Sequence, residues 1–211
     1  MTDPNQREIV VAILDEVLEQ GKYSHLVLKA TLDKYQYLSK QQRAFITRLT
    51  QGTIERLLQI DAILNQFVKK PKVPKMKPMI RTVLRSSVYQ IVFMDGVPDA
   101  AVCNEAVRLV KKHGLGGLGG FVNGVLRNIS RHKEDIVYKG WSEQYSMPQW
   151  IIDAWKAQYD DATVEQILQA LLEEKKTCIR VNTNRMSVEQ LTDRLQEQGI
   201  TVEACEEIPY A

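Results

Sequence analysis

Acidic residues are missing from two long stretches of this 211-residue chain: none lies between Asp61 and Asp95, and none between Glu105 and Glu134. The formal net charge is only +2, so this absence reflects segregation and not a general excess of base. Lys69, Lys70, Lys72, Lys75, Lys77, Arg81 and Arg85 fill the first stretch. Arg108, Lys111, Lys112, Arg127, Arg131 and Lys133 fill the second. Basic stretches of this kind are the electrostatic footprint of a polyanion partner. Cysteine is scarce as well. Cys103, Cys178 and Cys205 are an odd number, far apart and without CxxC spacing, and the three histidines form no ligand cluster with them. This excludes a disulfide framework and predicts reduced thiols and no bound metal. No apolar run approaches the roughly 20 residues that cross a bilayer. Met1 to Gln20 also carries acids through its apolar stretch, unlike a signal peptide. The expectation is a cytoplasmic protein with no membrane partner.

What is present is helical periodicity, almost continuous to about residue 132. Asp3 and Pro4 read as a cap and first turn, Val10, Ile13, Leu14 and Val17 fall on one face, and Gly21 ends the element. Ser24 to Lys34 reads as a second helix. Ser39 with Gln42 forms a capping box opening a long helical region that carries Ile60, Ile63, Leu64 and Phe67 and is broken by Pro71, Pro74 and Pro78. Next, Ile80, Val83, Leu84, Val88 and Ile91 share an inward face, while Lys77, Arg81 and Arg85, four apart, are expected on an outward one. In VCNEAVRLVKKHG the inward residues are Val102, Ala106, Leu109 and Val110. In FVNGVLRNISRH they are Val122, Val125, Leu126 and Ile129, with Asn123, Arg127 and Arg131 on the outer face.

Between those two helices lies HGLGGLGG, in which Gly114, Gly116 and Gly119 fit GxGxxG. A dinucleotide cradle needs that pattern to follow a strand and open the helix of a strand-helix-strand unit. Here it follows a helix, so it reads as a connector. Amides at the start of the next helix remain able to bind one anionic oxygen.

The runs MIRTVLRSSVYQIVFMDGVP, VCNEAVRLVKKHG and GFVNGVLRNISR resemble the end of the NusB-like all-helical RNA-binding domain, and the resemblance extends over about residues 5 to 132. Such domains occur alone, as transcription antitermination factors, and at the front of larger enzymes. Beyond His132 to Asp135 the character changes. Tyr138, Trp141, Tyr145, Trp150, Trp155 and Tyr159 cluster, and the spacing of Ile151, Ala154, Trp155 and Gln158 predicts a face packed on the neighbouring domain. TCIRVNT reads as a strand, Ser187 and Gln190 cap a helix with Leu191 and Leu195 inward, and ITVEA reads as a second strand.

YSMPQWIIDAWKAQY followed by CIRVNTNRMSVEQLTDRLQEQGI resembles the linker region of the Sun-type (Fmu) ribosomal RNA cytosine-5 methyltransferases. The implied fold is mainly α, a NusB-like domain over residues 1–135 followed by linker helices and a small α+β unit over 136–211. The resemblance implies a parent enzyme that uses S-adenosylmethionine on small-subunit ribosomal RNA. The doubly wound catalytic domain and its two cysteines fall outside this sequence, so no catalytic residue and no bound cofactor are expected in this chain. The three cysteines read as small structural side chains. The expected partners are ribosomal RNA and the catalytic domain of the same polypeptide. A stand-alone NusB-like antitermination or scaffold protein is the alternative. Lys77, Arg81, Arg85, Lys111, Lys112, Asn123, Arg127 and Arg131 are the candidate RNA contacts, with Arg180 and Asn182 on the outward side of the RVNT strand.

Overall fold

A computed structural model describes residues 5–173 and 177–203 of the chain. It divides into two compact units, Met1–Gln169 and Ala170–Ala211. The first is helical throughout its described residues. Its helices are α1 (Gln6–Leu18), α2 (Ser24–Lys34), α3 (Lys40–Glu55), α4 (Leu57–Phe67), α5 (Pro78–Phe93), α6 (Asp99–Lys112) and α7 (Gly119–Arg131), then the short α8 (Trp141–Gln144) and α9 (Gln149–Lys156). A further helix, α10 (Asp161–Leu172), runs through the division between the units.

Caps fix where these helices begin. Asn5 accepts hydrogen bonds from the amides of Arg7 and Glu8 and so opens α1, while the expected cap and first turn at Asp3 and Pro4 lie outside the described residues. Ser39 and Gln42 form the reciprocal capping box of α3. The long helical region expected after it is two helices, because the backbone turns at Arg56, whose guanidinium lies 4.7 Å from the centre of the Phe93 ring.

Helix α5 is the axle of the unit, with α1, α3, α4, α6 and α7 packed around it. Its inward residues are buried as the periodicity predicts, but so are Thr82, Arg85, Ser86, Ser87 and Gln90. A helix enclosed on most of its circumference has no broad outward face, and the expected basic stripe is therefore overturned at Arg85. Its guanidinium donates two hydrogen bonds to Asp61, at 2.8 and 2.6 Å, and lies 3.8 Å from Glu19. Arg81 is also turned inward, in a two-point contact with Glu19. Since the segment carries no acid of its own, both arginines take their counter-charges from α4 and from the C-terminal cap of α1. Small side chains permit this crowding. A Cβ on Gly52 of α3 would stand 2.0 Å from the Tyr89 ring of α5.

The segment that follows His132 to Asp135 is bonded to α4. Gln66 donates to the Val137 carbonyl (2.7 Å) and accepts from its amide (3.2 Å), and Gln59 donates to the Gln144 carbonyl at 2.6 Å. Ser146, with a left-handed φ of 50°, then turns the chain into α9. That turn sets a helix phase different from the one spacing alone predicts. Ile152 is fully buried, Ala154 and Gln158 are exposed, and Trp150 is 71% exposed. Of the aromatic cluster, Tyr145 is buried and hydrogen-bonds Glu165, while Trp141 lies beneath the Lys156 ammonium.

In the second unit, helix α11 (Val188–Glu197) begins at the Ser187–Gln190 capping box and is followed by Gly199 at φ +75°. No strand occurs among the described residues of 177–183 and 200–203, where hydrophobic alternation predicts a pair. A ladder needs a backbone partner along the whole edge, and alternation reports a half-buried face without reporting that partner. The end of the second expected strand, Ala204, and Cys205 lie outside the described residues.

Removing Arg85 leaves the Asp61 carboxylate without its cation, while Glu19 keeps Arg81. R85M, which keeps the apolar stem, is expected to lower stability by about 3 kcal/mol in urea denaturation, in line with half-broken buried pairs.

Candidate functional site

The outward faces of α6 and α7 meet in a shallow cavity of about 280 Å³. Asn104, Val107 and Lys111 line it from α6, and Asn123 and Arg127 from α7. Its floor is backbone, from Gly116, Gly119 and Gly120.

The glycine segment builds this floor. Gly114 takes φ +74° at the end of α6, where its amide reaches the Lys111 carbonyl and the Leu115 amide reaches the Val110 carbonyl, a left-handed helix stop. One 3-10 turn, Gly116–Leu118, leads directly into α7. The segment therefore stands between two helices, as its sequence context predicts. At Gly119 an added Cβ would make only ordinary contact, with Val107 at 3.4 Å and Lys111 at 3.9 Å. Around Gly120 and Gly124 there is nothing within 4 Å, so packing does not demand glycine at either. No side chain caps α7, and the Gly119 amide is closed onto the Gly116 carbonyl by the preceding 3-10 turn.

Charge at the groove is unevenly committed. Arg127 donates only to Asn123, at 3.2 Å, and Lys111 and Arg131 are exposed with no carboxylate partner among the described residues. Lys112 instead pairs with Glu8 at 2.7 Å, and Lys133 with Asp99 at 3.1 Å. Of the candidate contacts, the fold thus brings together Lys111, Asn123 and Arg127. Arg131 continues their face one turn further on. Lys112 is tied to α1, Arg81 and Arg85 are withdrawn around α5, and Lys77 is exposed at the start of α5. Arg180 and Asn182 are exposed in the second unit, where the Asn182 side chain accepts from the Asn184 amide in a turn.

Asn104 is a groove residue that sequence reasoning misses, although it begins the NEAV run. Its neighbour Glu105 explains why that run is structural as well. Glu105 accepts from Asn5, the cap of α1, and from Arg108 at 2.8 and 3.0 Å, which clasps the start of α1 to α6. Burial pushes the Glu105 carboxyl upward, but the hydrogen bonds from Arg108 and Asn5 and the charges of Arg108 and Arg7 outweigh it and hold the group below its ordinary range. Cys103, on the inner side of the same helix, is buried, and that burial raises its thiol. Cys178 is exposed. No group of three or more potential metal ligands occurs among the described residues, and no helix there is long and apolar enough to cross a membrane.

Two outcomes test the groove and its clasp. A carboxyl whose folded pKa is depressed adds stability above its unfolded pKa and loses it as pH falls through the folded value. E105Q is therefore expected to lower the urea midpoint at neutral pH and to flatten its decline under acid. G124A, placed mid-helix with open space beside it, is expected to raise stability by about 1 kcal/mol in the same assay.

Residues 4–131 match the NusB family, and residues 147–211 match the ferredoxin-like domain described as Methyltr_RsmF/B-like. Over 210 residues the chain is 34% identical to the probable ribosomal RNA small subunit methyltransferase B of Bacillus subtilis, a match covering 96% of this chain and 46% of that protein. It is 37% identical over 98 residues to the transcription antitermination protein NusB of Dictyoglomus thermophilum, covering 46% of this chain and 68% of that one. The chain spans about half the length of the methyltransferase relatives it matches. Among solved structures, a T. maritima NusB superposes with a TM-score of 0.54 at 25% identity, covering 62% of this chain and 93% of that chain. PH0851 superposes with a TM-score of 0.61 at 20% identity, covering 99% of this chain and 48% of the other, a likeness of fold alone.

Proposed function

Because the chain belongs to the NusB family, we propose that its helical unit binds ribosomal RNA through the groove between α6 and α7. The observation that carries this reading is the juxtaposition there of two uncommitted cations, Lys111 and Arg127, with two amide side chains and a floor of bare glycine backbone. Cations unsatisfied by the fold attract phosphate, and a floor without side chains admits a ribose-phosphate chain at close range. Asn104 and Asn123 supply donors and acceptors for sugar or base edges. Arg131, on the same face of α7, extends the charged track.

At the level of the whole protein, we infer that the chain serves as the RNA-recognition part of an S-adenosylmethionine-dependent cytosine-5 methyltransferase of the small ribosomal subunit. Similarity to methyltransferase B relatives across both units, where NusB relatives match only the helical one, favours this over a stand-alone antitermination factor. The glycine-rich segment joins two helices and does not follow a strand, so it is not the phosphate cradle of a doubly wound sheet. No chemical step is assigned to this chain. Its contribution is binding energy, which an enzyme acting on a base inside folded RNA spends on unstacking and holding that base.

Titration of a structured fragment of small-subunit ribosomal RNA at several salt concentrations tests the groove. K111Q with R127Q is expected to weaken binding and to reduce the slope of log affinity against log salt by about 1.4, at about 0.7 for each phosphate no longer neutralised. Helical circular dichroism should be unchanged. An unaltered slope in that variant rejects the groove as the phosphate site.

A further inference from the structure

The groove accounts for the acid-free stretch around α6 and α7 and leaves the other one unexplained. The loop VKKPKVPKMKP between α4 and α5 carries five lysines and no acid. Loops of that composition are ordinarily solvated and mobile, but this one is fastened along its length. Val68, Val73 and Met76 are buried at 2%, 0% and 5% exposure. The Asn65 side chain accepts from the Val73 amide at 3.2 Å, and a 3-10 turn at Val73–Lys75 is closed by bonds from Lys75 to Lys72 and from Met76 to Val73. The Lys72 ammonium is spent on the carbonyls of Asn65 and Val68 at the end of α4. Arg81 donates to the Pro74 carbonyl at 3.0 Å while holding Glu19, so one of the arginines expected to touch RNA in fact anchors this loop.

The effect of the fastening is selective. Every apolar side chain of the loop except the prolines is buried, and Lys69, Lys70, Lys75 and Lys77 are left exposed with no carboxylate partner among the described residues. Holding four like charges on a fixed backbone costs Coulomb energy that a free loop would relieve by spreading. The partner they fit is narrowly defined by what the surface lacks. An amphipathic membrane-surface segment inserts apolar side chains, and a protein interface is held by aromatic or aliphatic anchors. Apart from its prolines, the loop exposes neither. Lysines without arginine forks or amide side chains suit contacts that recognise phosphate charge and not base identity.

We propose that the loop of residues 69–77 is a second, preorganised RNA-backbone site, distinct from the α6–α7 groove and indifferent to sequence. The inference rests on the reading of the helical unit as an RNA binder and adds a separate set of phosphates to it. With the groove supplying close approach and the amide side chains, the loop supplies charge alone, so its loss weakens all RNA sequences alike.

The experiment uses the full chain and the same ribosomal RNA fragment, with a scrambled fragment of equal length as a second probe. K69Q/K70Q/K75Q/K77Q is expected to reduce the salt slope by about 2.8 on both RNAs, at about 0.7 per phosphate, and to leave helical circular dichroism intact. A control that removes four other exposed lysines, K29Q/K34Q/K40Q/K139Q, is expected to change the slope little. N65A, which keeps every charge but releases the Val73 amide, is expected to lower affinity several-fold at unchanged slope. The inference is overturned if the loop variant keeps the parent slope while K111Q/R127Q loses it, since the groove then binds RNA without the loop. It is equally overturned if the control falls as far as the loop variant, because net charge alone is then responsible. Absence of RNA binding by the unsubstituted chain rejects both this inference and the reading on which it rests.

Discussion

The ion pairs around α5 are the constraint on which the helical unit depends. An arginine inside a ring of helices is tolerable only if the counter-charge arrives with it, and Asp61 and Glu19 arrive from two different elements. Their convergence fixes α4 and the end of α1 against the axle in one register. Arg81, one turn earlier, shares Glu19 and reaches the loop carbonyls, so the polar interior of the unit and the posture of its lysine loop are parts of one network. Charge that looks like surface in the sequence is spent inside, and what remains outside is correspondingly easier to interpret.

Much of this architecture is legible in the sequence. Most helices of the first unit, the caps at Ser39 and Ser187, and the inward residues of α6 and α7 follow from spacing, because burial of one face and capping of one end are local demands that leave local traces. The departures share a cause. Arg85 reads as outward because four-residue spacing identifies a stripe without saying how many neighbours enclose the helix. The signal that speaks to enclosure is compositional, the small and uncharged run Ser86, Ser87 and Val88 beside it. Trp150 stands exposed because the phase of α9 is set by the turn at Ser146, and the strands expected at 177–183 and 200–203 rest on alternation that names no partner.

The candidate site is legible in its parts and not in its assembly. Lys111, Asn123 and Arg127 are visible as basic and polar positions on two consecutive helices, but their meeting depends on the left-handed stop at Gly114 and the short turn that follows it. Asn104 escapes notice because its neighbours carry the stronger resemblance. The glycines that superficially imitate a nucleotide fingerprint stand at a helix junction instead of a strand end.

Gly52 has a meaning beyond packing. Among the described residues it is the one glycine where a single added carbon would overlap another side chain, and the overlapped ring of Tyr89 lies against Phe93, over which Arg56 sits at the break between α3 and α4. A one-carbon change at this codon would therefore be felt at the bend that divides two helices. For a lineage drifting under mutation, the other glycines are negotiable at the level of a turn or a propensity. This one works as a one-way gate: with the aromatic tip in that space, a side chain can enter at Gly52 only after the Tyr89 ring has moved or shrunk.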